Sequence, residues 1–422
     1  MGLNVLVVGG GGREHAIVWK LRQSPKIDTL HCAPGNGGIA ELARCHPVDA
    51  MDIPGMVALA RQLQVDLVMV APDDPLAAGM VDAMEAAGLR AFGPNRAAAI
   101  LEASKSFSKD LMMRYGIPTA DYRVFTESEP AIAWLRHQSM PIVVKADGLA
   151  LGKGVLICKT LQEAEAAVRA ILEEKRFGQA GSRVVIEACL TGPEVTVLAF
   201  TDGKTLLPMA SSQDHKRAYD GDEGPNTGGM GTFSPSPLYT DEIAAWCMAH
   251  IYLPTLHAMN SEGRPFRGVL YFGLMLTPEG PKVIEYNARF GDPETQVVLP
   301  RMETDLLDVF LAILEERLSE ITLSWRPEPA VCVVMASGGY PDAYRKGLPI
   351  TGLEAACQLP EVMVFHAGTR LEVTTVLTNG GRVLGVTALG QDMEQARVRA
   401  YEGVSRIQFE GAHWRTDIGV KR

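Results

Sequence analysis

Residues 283–294 read Val-Ile-Glu-Tyr-Asn-Ala-Arg-Phe-Gly-Asp-Pro-Glu, and apolar and polar side chains alternate through residues 284–289. Strand side chains alternate between two faces, so we expect Glu285, Asn287 and Arg289 on one face. Two hard oxygen ligands suit a magnesium ion that bridges nucleotide phosphates. The guanidinium that follows them suits a phosphoryl group in transfer. A solvated polar face of an antiparallel sheet is the alternative, and this segment alone does not decide between them.

Composition describes an ordinary globular protein. The chain has 422 residues, 47% of them apolar and 21% charged, which is enough for several domains of about 150 residues with large cores. No apolar run approaches the ~20 residues that cross a bilayer, and the N-terminal residues lack the basic flank and cleavage site of a signal peptide. Seven scattered cysteines without a Cys-x-x-Cys pair favour free thiols, so we expect a cytoplasmic protein.

The formal net charge of −10 disfavours a general nucleic-acid-binding surface. A few focused cationic groups can still hold an anionic small molecule inside an acidic protein. We therefore expect small-molecule partners, no nucleic-acid or membrane partner, and a monomer.

The order of predicted elements divides the chain into three regions. Strand and helix signals alternate through residues 1–103, which predicts a parallel sheet with helices on both faces. Longer strand-like runs through residues 104–325 predict an α+β region. Residues 326–422 carry a hairpin signal, Thr-Asn-Gly-Gly from Thr378, and are predicted to form a C-terminal mixed β domain. The expected fold class is therefore multidomain α/β and α+β.

A glycine run follows the first predicted strand and opens a helix. Its residues Gly9, Gly11 and Gly12 let backbone N–H groups approach an anion at a helix N-terminus. The spacing fails the dinucleotide fingerprint, and the second strand ends at Ala-Pro-Gly-Asn without a carboxylate for ribose hydroxyls. We expect a phosphate-bearing small molecule with Arg13 and Asn36 as donors, and a tight turn without a ligand is the alternative.

A second glycine loop, Asp-Gly-Leu-Ala-Leu-Gly-Lys-Gly-Val at residues 147–155, lies between two predicted strands. It is not a Walker A loop, because no Ser or Thr follows Lys153 and the glycine spacing is one residue short. The hairpin could close over a triphosphate as a flap, with Lys145 adding a second phosphate contact. A flexible hairpin with a solvated lysine is the alternative.

Two further segments carry charges at the ends of predicted strands. Glu187 and Glu194 could hold the amino group and ribose hydroxyls of an adenosine, although either could be a surface carboxylate. Asp-His-Lys-Arg from Asp214 opens a glycine-rich segment, residues 214–231, that is too long for a simple connector. It is interpreted as a lid that clamps an anion or as a solvated charge run.

Together these motifs resemble the ATP-grasp ligases and, within them, the glycinamide ribonucleotide synthetases. The resemblance covers essentially the whole chain in order. It rests on Gly-Gly-Arg-Glu-His-Ala from Gly11, Ala-Pro-Gly-Asn from Ala33, Lys-Ala-Asp-Gly-Leu-Ala from Lys145, Ser-Gln-Asp-His-Lys-Arg from Ser212, Gly-Pro-Asn-Thr-Gly-Gly-Met-Gly from Gly224 and Asn-Ala-Arg-Phe-Gly-Asp-Pro-Glu-Thr from Asn287. The last three are highly specific.

The resemblance implies an enzyme that uses ATP to join glycine to 5-phosphoribosylamine through glycyl phosphate, in purine synthesis, with Mg²⁺ or Mn²⁺. It also implies an N-terminal pre-ATP-grasp domain and a central ATP-grasp fold with a lid subdomain at about residues 124–194. Carried over position by position, it implies Glu285 and Asn287 as metal ligands and Arg289 and Lys145 as catalytic residues.

The remaining implied residues are grouped by substrate. ATP is held by Lys105, Lys145, Lys153, Glu187, Leu190 and Glu194. Phosphoribosylamine and glycine are held by Gly9, Gly11, Gly12, Arg13, Glu14, Asn36, Asp73, Asp214, Lys216 and Arg289.

The chain departs from the family pattern at a few positions, and two other functions stay open. Ala-Pro-Asp from Ala71 replaces a usual Gly-Pro-Glu, which leaves substrate contacts of that turn undecided. The other departures are Leu151, Ala188 and Pro193.

A different ATP-grasp ligase would lack the Asp214 tetrapeptide and the Gly-Pro-Asn-Thr segment that follows it. A non-catalytic nucleotide-binding protein is expected to lose Glu285, Asn287 or Arg289.

Overall fold

A computed structural model describes residues 2–150 and 154–420 of the protein. Leu151 and the predicted phosphate contact Lys153 lie outside the described residues. The strands in the described part are β1 (Leu3–Gly9), β2 (Ile27–Pro34), β3 (Arg44–Cys45), β4 (Leu67–Val70), β5 (Ala91–Phe92), β6 (Tyr122–Phe125), β7 (Ile142–Ala146), β8 (Val155–Cys158), β9 (Val184–Ala188), β10 (Glu194–Thr201), β11 (Leu206–Pro208), β12 (Gln213–Asp214), β13 (Arg217–Tyr219), β14 (Glu223–Asn226), β15 (Gly231–Ser234), β16 (Gly268–Thr277), β17 (Gly280–Asn287), β18 (Ala330–Ala336), β19 (Val362–His366), β20 (Thr369–Glu372), β21 (Thr375–Thr378) and β22 (Arg382–Leu389).

The helices are α1 (Gly12–Leu21), α2 (Ile53–Gln62), α3 (Asp73–Ala78), α4 (Met80–Ala86), α5 (Arg96–Ala103), α6 (Lys105–Arg114), α7 (Ser128–Leu135), α8 (Leu161–Leu172), α9 (Asp241–Cys247), α10 (Leu253–Ser261), α11 (Thr295–Arg301), α12 (Leu306–Leu314), α13 (Leu353–Cys357) and α14 (Met393–Arg406). Within the described residues, none of them is both long and apolar enough to cross a membrane.

The N-terminal sheet has the order β3-β2-β1-β4-β5, and all its pairs are parallel. β1 is the central strand, and its residues from Val5 to Val8 are fully buried because helices cover both faces. The predicted parallel α/β arrangement of this region is confirmed. The glycine run lies where β1 ends and α1 begins, which is the edge at which open parallel sheets bind ligands.

Two antiparallel sheets form the middle of the chain: β6-β9-β7-β8, which we call the lid sheet, and β11-β10-β16-β17, the central sheet. β17 carries the alternating stretch, with Val283 and Tyr286 buried and Glu285 and Asn287 partly exposed. The register between β16 and β17 shifts so that Glu285 pairs with Gly273 while Val283 pairs with Leu274. Ile284 is the extra residue of this bulge and lines the cleft rather than the packed face.

The last sheet has the order β12-β15-β18-β22-β19 and is antiparallel throughout. β12 and β15 flank the glycine-rich segment 214–231, while β18, β19 and β22 come from the C-terminal region. Strands from both sides of the predicted boundary at residue 326 therefore pair in one sheet. The glycine-rich segment itself forms the β13–β14 hairpin.

The parallel sheet is attached to the following region by aromatic packing. Phe92 on β5 stacks on Phe310 of α12 with ring centroids 3.9 Å apart and an interplanar angle of 26°. Both rings are almost fully buried, in a cluster that also includes Val7 and Leu299. This stack joins the predicted first domain to the later helices.

Replacing Phe310 by Ala removes one ring of this stack and leaves a cavity. We expect the free energy of unfolding to fall by about 3–5 kcal/mol, as for other buried aromatic residues. Urea denaturation measures the change, with Val398→Ala as the control because Val398 is 53% exposed. Equal loss in the two variants would contradict the packing role of Phe310.

Candidate active site

A cleft of about 1070 Å³ opens between the lid sheet, the central sheet, the β13–β14 hairpin and the C-terminal region. Most of the predicted site residues line it. They are Arg13, Asp73, Lys105, Lys145, Glu187, Leu190, Glu194, Asp214, Lys216, Glu285, Asn287 and Arg289. The glycine run, Glu14 and Asn36 do not line this cleft.

Glu187 is the centre of the first charge cluster. It lies on β9, is almost fully buried, and its carboxylate pairs with Lys145 Nζ at 2.8 Å and with Lys109 Nζ at 3.2 Å. Burial would raise the pKa of Glu187, but the two ammonium groups lower it below its ordinary value. Glu187 is therefore ionised, and it fixes two lysines at one wall of the cleft.

Lys109 was not predicted as a site residue, because its position in the sequence is that of an ordinary polar residue on a helix. It lies on α6 and also donates to Thr119 Oγ1 and the Ala120 carbonyl, both at 2.8 Å. Burial lowers its pKa to about 8, although Glu187 acts in the opposite direction. Lys145 donates to the Ile284 carbonyl at 3.2 Å, which ties the lid sheet to β17.

Lys105 begins α6 and reaches back to the second glycine loop. Its Nζ donates to the Gly148 carbonyl at 3.0 Å, and its backbone N–H donates to the Asp147 carbonyl at 2.9 Å. Burial lowers its pKa, and Glu285 partly offsets that effect. The described end of the loop is thus held beside a cationic group that lines the cleft.

Lys216 is the centre of a second charge cluster. Its Nζ lies 2.8 Å from Glu194 Oε2 and 3.9 Å from Glu285 Oε1. Burial alone would lower the pKa of Lys216, but Glu194, Asp214 and Glu285 raise it well above its ordinary value. Burial raises the pKa of Asp214, with Lys216 opposing the change. Lys216 of the tetrapeptide therefore pairs with carboxylates of the central sheet.

Arg289 is the centre of a third cluster. Its Nη2 pairs with Glu102 Oε1 at 2.9 Å and lies 4.0 Å from Asp73 Oδ2. Burial raises the pKa of Glu102 to about 7, although Arg289 acts in the opposite direction. The Nε of Arg289 is buried and has no hydrogen-bond partner in the described structure. An N–H group in that condition is available to an anionic ligand.

Glu102 was also missed in the sequence. It lies near the end of α5, between apolar residues, and nothing in that context separates it from a surface glutamate. In the fold it accepts a hydrogen bond from the Ala288 backbone N–H at 2.7 Å as well as the Arg289 pair. It therefore orients both the strand end and the guanidinium.

Glu285 and Asn287 provide the oxygen atoms expected of a magnesium site. Their side chains lie on the same side of β17 and line the cleft. Burial opposes the ionisation of Glu285, but Lys216 and Lys145 lower its pKa, so the carboxylate is charged. No group of three or more His, Cys, Asp or Glu side chains in the described residues could hold a metal alone. Mg²⁺ is commonly bound by one or two protein oxygens, with nucleotide phosphates as further ligands, and Glu285 and Asn287 fit that pattern.

The glycine run is stabilised largely by its own neighbours. Gly11 N–H donates to Glu14 Oε2 at 2.6 Å, and Arg13 Nε pairs with Glu14 Oε1 at 2.6 Å. Asn36 Nδ2 donates to the Gly10 carbonyl at 2.9 Å and to the His366 carbonyl at 2.7 Å. Glu14 and Asn36 therefore hold the loop in shape, and Arg13 is the side chain of this region that reaches the cleft.

The atypical turn after β4 places its carboxylate at the cleft. Asp73 begins α3, with Pro72 at the N-cap position. Burial would raise the pKa of Asp73, but Arg289 and Arg13 lower it. The shorter aspartate therefore lies between two arginines that line the cleft.

Arg382 is a further cleft residue that sequence analysis did not identify. It begins β22, and its Nη2 pairs with Asp292 Oδ2 at 3.2 Å while its Nη1 donates to the Asp292 carbonyl at 2.8 Å. Arg382 also contacts the Gly228 carbonyl. The C-terminal region thus contributes a guanidinium beside the Asn-Ala-Arg-Phe-Gly-Asp motif.

Three family models match the chain in order. Residues 3–102 match the phosphoribosylglycinamide synthetase N domain, residues 103–295 its ATP-grasp (A) domain and residues 330–421 its C domain. A phosphoribosylamine–glycine ligase of Allochromatium vinosum is 52% identical over 420 residues, which cover 99% of this chain and 98% of that protein. One from Vibrio parahaemolyticus is 50% identical over 422 residues, with the same coverage of each.

Solved structures agree with these sequence matches. The crystal structure of a phosphoribosylamine–glycine ligase from Thermotoga maritima has a TM-score of 0.85 at 33% identity and covers 98% of this chain and 100% of that one. The biotin carboxylase domain of Hydrogenobacter thermophilus 2-oxoglutarate carboxylase has a TM-score of 0.76 at 16% identity, with 98% and 92% coverage, which is a similarity of fold. The predicted ATP-grasp fold is confirmed.

The pKa of Glu102 gives a prediction about stability. Because its pKa of about 7 in the folded protein exceeds the ordinary 4.5, the native state holds a proton that the unfolded chain releases between those values. Stability from this group is therefore lost as pH rises through that range. Because glutamine does not titrate, the free energy of unfolding of the wild type should fall relative to that of Glu102→Gln as pH rises through this range.

Urea denaturation of both proteins from pH about 5 to about 8 measures this difference. The exposed Glu354 on α13 gives the matched control, Glu354→Gln. Parallel stability curves for the wild type and Glu102→Gln would contradict the raised pKa.

Proposed function

We propose that this chain, which belongs to the phosphoribosylglycinamide synthetase family, joins glycine to 5-phosphoribosylamine at the expense of ATP. The products are glycinamide ribonucleotide, ADP and phosphate, as in the second step of purine synthesis. The observation that carries the proposal is the identity of about half of all residues to phosphoribosylamine–glycine ligases over the full chain. The charge clusters of the cleft support it with groups suited to phosphoryl transfer.

ATP is proposed to lie between the lid sheet and the central sheet. Lys145 and Lys105 would contact its phosphates, because both ammonium groups line the cleft beside the second glycine loop. Glu187 and Glu194 would hold adenosine, with Leu190 packed near the base. A fold neighbour, the biotin carboxylase domain, was crystallised with MgADP. Lys109 would act through Glu187, whose carboxylate it orients.

Glu285 and Asn287 are proposed to hold Mg²⁺ or Mn²⁺. When bound, the ion would supply positive charge that neutralises the phosphates of ATP. Lys216, 3.9 Å from Glu285 and 2.8 Å from Glu194, would keep the carboxylates oriented before the nucleotide arrives.

The reaction needs activation of a carboxylate. One oxygen of glycine attacks the γ-phosphorus of ATP, the bond from that phosphorus to ADP breaks, and ADP leaves with the electron pair. The amine of phosphoribosylamine then attacks the carbonyl carbon of glycyl phosphate, phosphate leaves, and the amine loses a proton. No residue of the chain forms a covalent bond in this sequence.

Catalysis by this chain is therefore positioning and charge stabilisation. Arg289 is proposed to contact the transferring phosphoryl group, since its buried Nε has no partner among residues 2–150 and 154–420 and Glu102 fixes its other end. The β13–β14 hairpin and the lid sheet would keep water from the acyl phosphate.

The two remaining substrates are assigned to opposite sides of Arg289. Phosphoribosylamine would lie toward Arg13 and Asp73, at the carboxyl edge of the parallel sheet. Glycine would lie toward Asp214 and Lys216. The glycine run, Glu14 and Asn36 are proposed to shape the phosphoribosylamine side. We further propose a cytoplasmic monomer whose predicted domains, 1–103, 104–325 and 326–422, meet at this cleft.

An ADP-release assay tests the proposal. We expect the purified protein to release ADP only when glycine, freshly generated phosphoribosylamine, ATP and Mg²⁺ are all present, and we expect glycinamide ribonucleotide in equal amount by mass spectrometry. ADP release that needs neither glycine nor phosphoribosylamine, or that follows formate or bicarbonate instead of glycine, would refute the assignment.

Glu285→Gln tests the metal site. The variant keeps the size of the side chain but removes the charge of one proposed ligand, so turnover should fall at least about 100-fold while the thermal transition stays in place. Glu279→Gln in the same β16–β17 hairpin is the control, because its side chain is 77% exposed. Near-normal turnover of Glu285→Gln at saturating Mg²⁺ would contradict the assignment.

Arg13→Met tests the phosphoribosylamine side. Losing a charged donor should raise the apparent KM for phosphoribosylamine about tenfold, with the Kd for ATP unchanged. Arg22→Met, at the exposed C-cap of the same helix, should leave both constants as in the wild type. A weaker affinity for ATP in Arg13→Met would instead move the nucleotide into the N-terminal region.

A further inference from the structure

The last described residues of the chain lie along the hairpin that follows Lys216. We call residues 413–419 the C-terminal strap. It is anchored on α14, where Tyr401 Oη donates to the Arg415 carbonyl at 2.7 Å and accepts from the Ile418 N–H at 3.1 Å. The strap therefore has a fixed base on one side and the β13–β14 hairpin on the other.

Arg415 makes the central contact. Its side chain is 1% exposed, although Asp222, which it contacts, is 60% exposed. Its Nη1 donates to Asp222 Oδ1 at 2.7 Å and to the Arg217 carbonyl at 3.1 Å, and its Nε donates to Asp417 Oδ1 at 2.7 Å. One buried guanidinium thus connects the start of β13 and the turn after β13 with the strap itself.

Other strap residues contact the hairpin independently of Arg415. Thr416 N–H donates to Asp220 Oδ1 at 2.8 Å, and the Thr416 hydroxyl contacts the same carboxylate. Asp417 Oδ2 accepts from the Gly221 N–H at 3.0 Å. His413 Nε2 lies 2.9 Å from the Ala218 carbonyl. These contacts cover the hairpin from β13 to the turn that precedes β14.

The same hairpin determines where Lys216 lies. The Lys216 carbonyl accepts from both the N–H and the hydroxyl of Thr227, at 2.8 and 2.9 Å, across the hairpin. The strap also reaches the preceding residue, since Gly419 N–H lies 3.3 Å from His215 Nε2. The Lys216 side chain then extends to Glu194 and Glu285 in the cleft.

We propose that the C-terminal strap positions Lys216, so that Arg415 is a positioning residue for the glycine side of the reaction. This inference rests on the proposed function for its kinetic consequence, while its structural consequence is independent of it. Lys105, Lys145 and Glu187 lie on elements that the strap does not contact among the described residues, so these nucleotide contacts should stay in place. Lys216 also pairs with Glu194 and Glu285, so a loosened strap should weaken ATP binding as well, but less than glycine binding.

Two variants test the strap at different depths. Arg415→Lys keeps the buried charge but loses the planar fork that reaches acceptors on three residues, Arg217, Asp222 and Asp417. Asp220→Asn weakens the contact with Thr416 at an exposed position, where unfolding is not expected. Arg345→Lys is the matched control, because Arg345 forms an exposed ion pair with Glu410 at 2.8 Å in the same region and does not contact the hairpin.

Hydrogen exchange and kinetics are the two readouts. We expect faster amide exchange across residues 215–226 in both strap variants and not in the control. We also expect kcat/KM for glycine to fall about tenfold in Arg415→Lys, with a smaller change in the Kd for ATP and a cooperative thermal transition retained. Unchanged exchange in both variants, or equal losses for glycine and ATP, would overturn the inference.

The two proposals can fail separately. Wild-type protein without glycine-dependent ADP release would refute the proposed function and would leave the exchange measurement to decide on the strap. Normal wild-type activity with normal glycine kinetics in both strap variants would refute the strap and retain the function.

Discussion

Charge compensation inside one cleft constrains the rest of this structure. A charge removed from water costs several kcal/mol unless an opposite charge and hydrogen bonds replace the solvent. Glu187 meets this condition with lysines from the lid sheet and from α6, and Lys216 meets it with carboxylates of the central sheet. Because Lys109 and Lys216 lie outside the sheets that carry their partners, satisfying the charges also sets how α6 lies against the lid sheet and how Lys216 lies against the central sheet.

The same pairing explains how a chain with net charge −10 can present cations to phosphates. The lysines of the cleft keep their protein partners and also line its open space, so an anionic ligand in the cleft would lie beside them. Arg289 is the clearest case, because Glu102 pairs with one end of its guanidinium while its Nε has no partner in the part of the chain that the structure describes. A ligand that supplies negative charge completes the arrangement, and a neutral one does not.

Local patterns in the sequence predicted the parts of the site that lie on one element. The alternation of Glu285, Asn287 and Arg289 follows from strand geometry, and the parallel sheet follows from regular strand–helix alternation. The same alternation predicts that Ile284 packs on the opposite face, but Ile284 lines the cleft because a bulge against β16 adds one residue to β17. The partner strand that causes the bulge is not visible in the local sequence. Gly9, Gly11, Gly12, Glu14 and Asn36 form a well-defined loop as expected, but their part in binding phosphoribosylamine stays a prediction.

Residues that act across long sequence separations could not be predicted. Lys109, Glu102, Arg382 and Arg415 read as ordinary polar positions, and each acquires its role from a partner more than 70 residues away. The glycine-rich segment shows the same limit, since its length indicated a special role while its pairing with β18 depends on the C-terminal region.

That pairing has a consequence for the chain during its synthesis. β15 finds its neighbour β18 only after about a hundred more residues have been made, and β18 needs β22 on its other side. The parallel sheet, by contrast, is built from neighbours in the first quarter of the sequence. Domains fold as they emerge from the ribosome, N-terminal first. A nascent chain that stops short of β18 therefore leaves β15 without its partner strand, and the cleft is enclosed only after β18 and β22 have been made.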